Sequence, residues 1–243
     1  MDDNIEQNLY APPKYDSVPL EKRRYIDYDV IQSNRELKAC ARKQLQGVWG
    51  QMASAFFVYH AILMVPALIF SEISPLRIPV IDRVGSIAVN IVSGPFALGF
   101  AGYFLKRIRD EDIALQNIFE GFKRFVPSFL VAFFMGLFIL LWSFLLLIPG
   151  IIKAFGYSMA YYIMHDNPEI KPLEALNKSQ IMMKGYKWKL FTLYFSFFGW
   201  VLLGLFTLGI GYLWLNPYIQ LSVTNFYENL KEVQGKSLEE DGI

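Results

Sequence analysis

Five stretches of this chain carry no Asp, Glu, Lys or Arg: Gln44–Ser71, Val84–Leu105, Val126–Ile152, Ala154–His165 and Leu190–Tyr227. About 20 apolar residues in an α-helix cross the ~30 Å hydrocarbon core of a bilayer. The first two stretches each supply one span, roughly 51–70 and 84–105. The third supplies a span over roughly 126–148, after which Pro149-Gly150 punctuates the chain. A shorter fourth span follows over about 150–165, with Lys153 snorkelling from its start. The last stretch has 38 residues, too many for one crossing, and divides into spans five and six at a turn near Gly204–Gly211. The pattern therefore predicts an all-α membrane protein with six transmembrane helices.

Charge placement orients those spans. The formal net charge of +1 conceals a strong segregation along the chain. With both termini in the cytoplasm, 20 of the 23 Lys and Arg fall in cytoplasmic segments, while the external loops keep Arg77 and Arg83. Lys153 lies in span four. A chain whose fourth segment failed to cross would put the five lysines from Lys171 to Lys189 outside, against the positive-inside rule. No basic face of the kind that holds nucleic acid emerges. A single cysteine, Cys40, excludes an internal disulfide.

The polar ends frame the membrane domain. Residues 1–32, with Pro12, Pro13 and Pro19, are expected to form a disordered cytoplasmic tail. Within it Pro12-Pro13-Lys14-Tyr15 matches a short WW-domain ligand pattern that arises often by chance. Residues 33–230 make the six-helix domain, and 231–243, ending in Glu239-Glu240-Asp241, a mobile cytoplasmic tail. The N-terminus has no apolar core of a signal peptide, so the first span is expected to target the chain.

A threefold pattern runs through this domain. Asn34–Trp49, Asp110–Phe125 and Pro172–Trp188 each mix polar and apolar residues at helical spacing, then carry a glycine and an aromatic. The glycines are Gly47, Gly121 and Gly185; Trp49 and Trp188 are among the aromatics. Ser33-x-x-Glu36 is a capping-box signature, and Pro172 suits a first helical position. Each unit is expected to be an interfacial amphipathic helix on the cytoplasmic face, a glycine hinge and a helical hairpin. Trp49 and Trp188 would anchor at headgroup level.

Particular residues carry a resemblance. Ser158–Trp200, with its Asn-Pro, Glu-Ala, Met-Met, Gly and Lys-Trp series, Thr207–Tyr218, Phe226–Leu230 and Arg35–Gly50 resemble a bacterial membrane family known as domain of unknown function number 975. The resemblance spans about residues 33–230 and implies an integral plasma-membrane protein without an agreed reaction or ligand. The family is also distantly similar to the membrane portion of some glycerophosphodiester phosphodiesterases, which implies a module that serves a catalytic domain without being one.

Little in the sequence offers chemistry. His60 and His165 are far apart and cannot, with one cysteine, assemble a metal site. No cofactor motif is present. The candidate intramembrane polar contacts are Asn90, Lys153 and Asn216, with Pro217 expected to kink span six. The span centres carry no carboxylate, which disfavours a proton-coupled carrier. The favoured function is a non-enzymatic accessory, scaffold or tolerance factor that contacts membrane lipids and another membrane protein or a transporter component. A transporter or channel for a small or amphiphilic solute is the alternative. An enzyme acting on lipid headgroups would have to use His165, Asp166 or Glu174.

Overall fold

The structure is a computed structural model. It describes residues 31–73, 79–145, 147–207 and 209–240, with the side chains of 63–90, 145, 147 and 235–240 left aside. Residues 1–30, most of the expected N-terminal tail, lie outside the described residues. Among the described residues every regular element is helical. In chain order these are α1 (Asn34–Leu45), α2 (Trp49–Ile73), α3 (Pro79–Ile108), a 3-10 helix (Leu115–Arg124), α4 (Phe125–Leu145), α5 (Leu147–Tyr157), α6 (Ala160–Asp166), α7 (Pro172–Met182), α8 (Lys187–Phe195), α9 (Phe198–Phe206) and α10 (Tyr212–Glu240).

Local chemistry sets the ends of these elements. Ser33 Oγ accepts from the Glu36 backbone, and the Glu36 carboxylate accepts from the Ser33 N–H at 2.6 Å, a reciprocal capping box that starts α1. Gly47 (φ +79°) lets the chain turn between α1 and α2, and Gly185 (φ +86°) does the same between α7 and α8; the left-handed region is open to glycine at little cost. Pro172 occupies the first position of α7, where its missing N–H costs nothing. Pro149-Gly150, where a break was expected, lies in the first turn of α5. Gly150 then packs on Ser143, drawing the two helices into a hairpin.

Close backbone contact organises the first half. A Cβ on Gly99 would run into the Ile118 carbonyl, and one on Gly121 into the Pro95 carbonyl. The 3-10 helix therefore lies directly on α3. Gly121 is a contact point, not the hinge its position suggested; its φ is not positive. Gly94 similarly admits the Ser128 backbone of α4. Around these contacts Ala41, Leu45, Met52, Phe100, Phe104 and Ile118 bury one apolar cluster. A second gathers Leu37, Tyr162, Ile163, Leu176, Phe226 and Leu230. Helix α10 touches both: Leu221 belongs to the first and Phe226 to the second.

This packing revises the amphipathic units. The apolar face of α1 (Leu37, Ala41, Leu45) is fully buried and packs against α10, so protein covers it and little is left for lipid. Ile118 of the 3-10 helix and Leu176 of α7 are likewise covered. The second unit is 3-10 and starts at Leu115, beyond Asp110 and Asp112, because Asn117 Oδ1 reaches back to the Ala114 N–H at 2.6 Å. At the other end α10 continues past residue 230 to Glu240, and Gln234 donates to the Met182 carbonyl at 2.9 Å.

Two helical runs among the described residues are long and apolar enough to cross a membrane: Leu115–Phe144 and Lys187–Phe206. Only 11% and 22% of their most apolar windows are buried in the protein. Among the described residues no other run meets the same test. Much of α2 and α3 falls within 63–90, span four is divided into α5 and α6 at Ser158-Met159, and α10 is polar through its second half.

Candidate functional site

Two features stand out from the packing: a buried ionic node and an apolar cleft with a cationic end. The node forms where the C-terminal end of α3, the end of α6 and the second half of α10 meet. Arg109, just past α3, donates to both Asp166 oxygens at 2.8 and 3.0 Å. The same guanidinium donates to Glu228 Oε1 at 2.9 Å from Nε and 2.7 Å from Nη2. Tyr227 donates to Asp166 Oδ2 at 2.9 Å, and Lys231 donates to the same oxygen. The side chains of Asp166 and Glu228 are only 2% and 6% exposed. Burial alone would raise the Asp166 carboxyl, but the neighbouring His165 ring and the Lys231 and Arg109 cations outweigh it and hold the group well below the usual carboxylate range.

His165 sits beside this node without joining it by a hydrogen bond. Its Nδ1 is buried, lacks a hydrogen-bond partner among the described residues and lies 3.7 Å from Asp166 Oδ1. The ring fits because α3 has Gly102 opposite; a Cβ there would come within 2.6 Å of Nε2. Chemically the node pairs two anions with two cations and joins three helices. Asp166 is already engaged by three donors, so it serves as an anchor and has little freedom to act as a base. Around it Gln32 N donates to Asn229 Oδ1 at 2.9 Å, and Gln44 and Asn225 exchange amide hydrogen bonds at 2.7 and 3.0 Å. These contacts fasten the start and end of α1 to α10.

The cleft lies between α1, the start of α2, α9 and the first half of α10, with a volume of about 630 Å³. Arg35, Lys38 and Arg42 of α1 line one part; Trp200, Leu203, Trp214 and Leu215 line the apolar remainder. The three cations fall at i, i+3 and i+7, which places them on one face of α1. Lys38 lies 5.0 Å above the Phe197 ring and 3.4 Å from the Ser196 carbonyl oxygen. Trp49 and Tyr218 close this end, their rings 6.5 Å apart. At the far end Thr207 accepts from Gly211 N at 2.8 Å and donates to the Gly204 carbonyl at 2.7 Å, fixing the turn from α9 to α10.

The residues singled out from sequence are dispersed. Lys153 donates to Gln180 of α7 at 2.9 Å and lies 5.0 Å above the Trp142 ring, so its head meets protein where snorkelling would have sent it outward. Asn216 is half-buried within α10 beside buried Pro217, and makes no hydrogen bond with its side chain among the described residues. The side chain of Asn90 lies outside the described residues. Trp188 is 70% exposed at the start of α8 and stacks on Phe191 at 4.9 Å. His60 is exposed in α2, its Nδ1 2.8 Å from the Phe56 carbonyl oxygen. Among the described residues no three His, Cys, Asp or Glu side chains converge as metal ligands.

Neither feature was assembled from sequence, yet both had local signals. Tyr227 and Glu228 lie in the Phe226–Leu230 motif, and Arg35, Lys38 and Arg42 recur at helical spacing. The family model described as Protein of unknown function (DUF975) matches residues 31–155 and 144–234. The chain belongs to this family. No curated protein and no solved structure matches it. The match takes in both the node and the cleft, so both are built from residues of the family domain.

Proposed function

We propose that this DUF975 protein is a non-enzymatic integral membrane protein that works through contacts with lipids and a membrane partner. In this reading the chain crosses the bacterial plasma membrane six times as three hairpins, with both termini in the cytoplasm. The observation that carries it is the apolar surface of α4 and α9. Phe133, Leu140, Leu141 and Phe144 on α4, and Leu203, Leu205 and Phe206 on α9, are exposed, Phe144 to 94% and Phe206 to 85%. Large apolar side chains exposed in this number along two helices are what a soluble surface avoids and what lipid covers. The segregation of Lys and Arg supports the orientation.

A non-enzymatic role is supported by the engagement of the polar groups nearest to chemistry. Asp166 is held by Arg109, Tyr227 and Lys231, and Glu174 lies 3.5 Å from Lys178 on the surface of α7. A transporter of amphiphilic solutes is the second reading, favoured by the apolar cleft; proteoliposome flux that survives Asn216→Leu but falls when the cleft is filled would support it.

Topology reporters test the main reading. A reporter fused after residue 186 is expected to be cytosolic and one fused within 71–83 external. External activity at residue 186 would overturn the orientation and the six-crossing scheme together.

A further inference from the structure

We infer that the cleft between α1, α9 and α10 is a binding site for one anionic phospholipid of the surrounding leaflet, its phosphate on Arg35, Lys38 and Arg42 and one acyl chain among Leu203, Trp214 and Leu215. The inference rests on the membrane reading above and names the lipid class that reading leaves open.

Charge complementarity selects the occupant. Three cationic side chains line one space, and Arg35 and Arg42 have no ion-pair partner among the described residues. Burial lowers the basicity of Lys38, and nearby Arg42 lowers it further, so the cluster lacks the anion that would relieve it. Arginine forks match phosphate oxygens, and a neighbouring ammonium adds a point charge. Immediately beyond the cations the lining becomes apolar, the profile of an amphiphile and unlike that of a free anion. The volume lies within the ~300–1,000 Å³ that encloses one drug-sized molecule, enough for a single chain with the rest of the lipid left in the bilayer.

The headgroup end has one further demand. Asn34, on the lining, donates through Nδ2 to Thr192 Oγ1 at 3.1 Å, while its Oδ1 is buried without a hydrogen-bond partner among the described residues. A hydroxyl on the headgroup would supply the missing donor, which makes phosphatidylglycerol a suitable probe.

The test uses the full chain purified in mild detergent, with bound lipid measured by native mass spectrometry and thermal stability followed during titration. Phosphatidylglycerol is expected to be retained and stabilising at concentrations where phosphatidylcholine is not. Arg35→Gln with Arg42→Gln should weaken its binding at least tenfold. Lys171→Gln with Lys184→Gln removes equal charge elsewhere and should change it less than twofold. Leu203→Trp, which fills the apolar part and keeps every cation, should also reduce retention. Glycerol phosphate, with the head but no chain, should fail to compete.

Equal retention of both lipids, or equal loss in the two double variants, would reduce the site to diffuse surface charge and overturn the inference. Competition by glycerol phosphate would make it a free-anion site and do the same. Because the reporter after residue 186 tests topology separately, cytosolic activity there with no lipid preference sinks this inference alone. External activity sinks the reading beneath it.

Discussion

Gly99 and Gly121 show what a single missing Cβ does in this protein. Each lets a backbone carbonyl occupy the space a side chain would fill, so the 3-10 helix can lie against α3. Gly99→Ala must push the Ile118 backbone away, and backbone yields less easily than a side chain. Overpacking of this type costs about 1–3 kcal/mol. The variant is expected to unfold at lower temperature in detergent, whereas Gly50→Ala, with nothing within 4 Å of the new Cβ, should unfold at or above the wild-type temperature. Gly185→Ala tests a different cause: its surroundings are open, but φ of +86° carries a penalty of roughly 1–2 kcal/mol for an L side chain. The turns at Gly47 and Gly185, both at positive φ, were legible because a turn is local to its sequence. The role of Gly121 was not, since it depends on Pro95, 26 positions earlier.

At the scale of elements, sequence located helices better than their partners. Ser33 and Glu36 announced the start of α1 and Pro172 that of α7, because caps act within a few residues. The amphipathic pattern of α1 was equally visible, but periodicity reports an apolar face without saying what covers it. Here the cover is α10, and the reciprocal Gln44–Asn225 amides fix the pairing. Gln44→Leu leaves the buried Asn225 Oδ1 without that donor, at an expected cost of about 1–3 kcal/mol. The double variant Gln44→Leu/Asn225→Leu should lose less than the two single losses added, with a coupling of roughly 0.5–3 kcal/mol in detergent unfolding. Strict additivity would mean the amides do not pair, leaving apolar contact alone to hold α1 on α10.

For the whole molecule, the sequence revealed that charge is sorted along the chain but not that some of it returns to one point. Arg109 lies 57 positions before Asp166 and 119 before Glu228, a convergence no local pattern encodes. The node ties the ends of α3 and α6 to α10, so its titration should appear as a loss of stability in the whole domain. The sign follows from Asp166. Its carboxyl is held below the ordinary value in the folded protein, so the unfolded chain binds the proton more readily. The stabilisation is complete above the ordinary carboxylate value of about 3.9 and fades as pH falls below it toward the depressed folded value. Wild-type protein in detergent should therefore lose unfolding temperature steeply below about pH 4. Asp166→Asn removes one anion from a buried set while Arg109 and Lys231 stay charged, a change that costs about 3–5 kcal/mol near neutral pH. The variant should also have a flatter acid limb, since the titrating group is gone. Two acid limbs of equal slope, measured by tryptophan fluorescence during thermal unfolding, would show that acid sensitivity arises elsewhere and that the node does not govern the domain's cohesion.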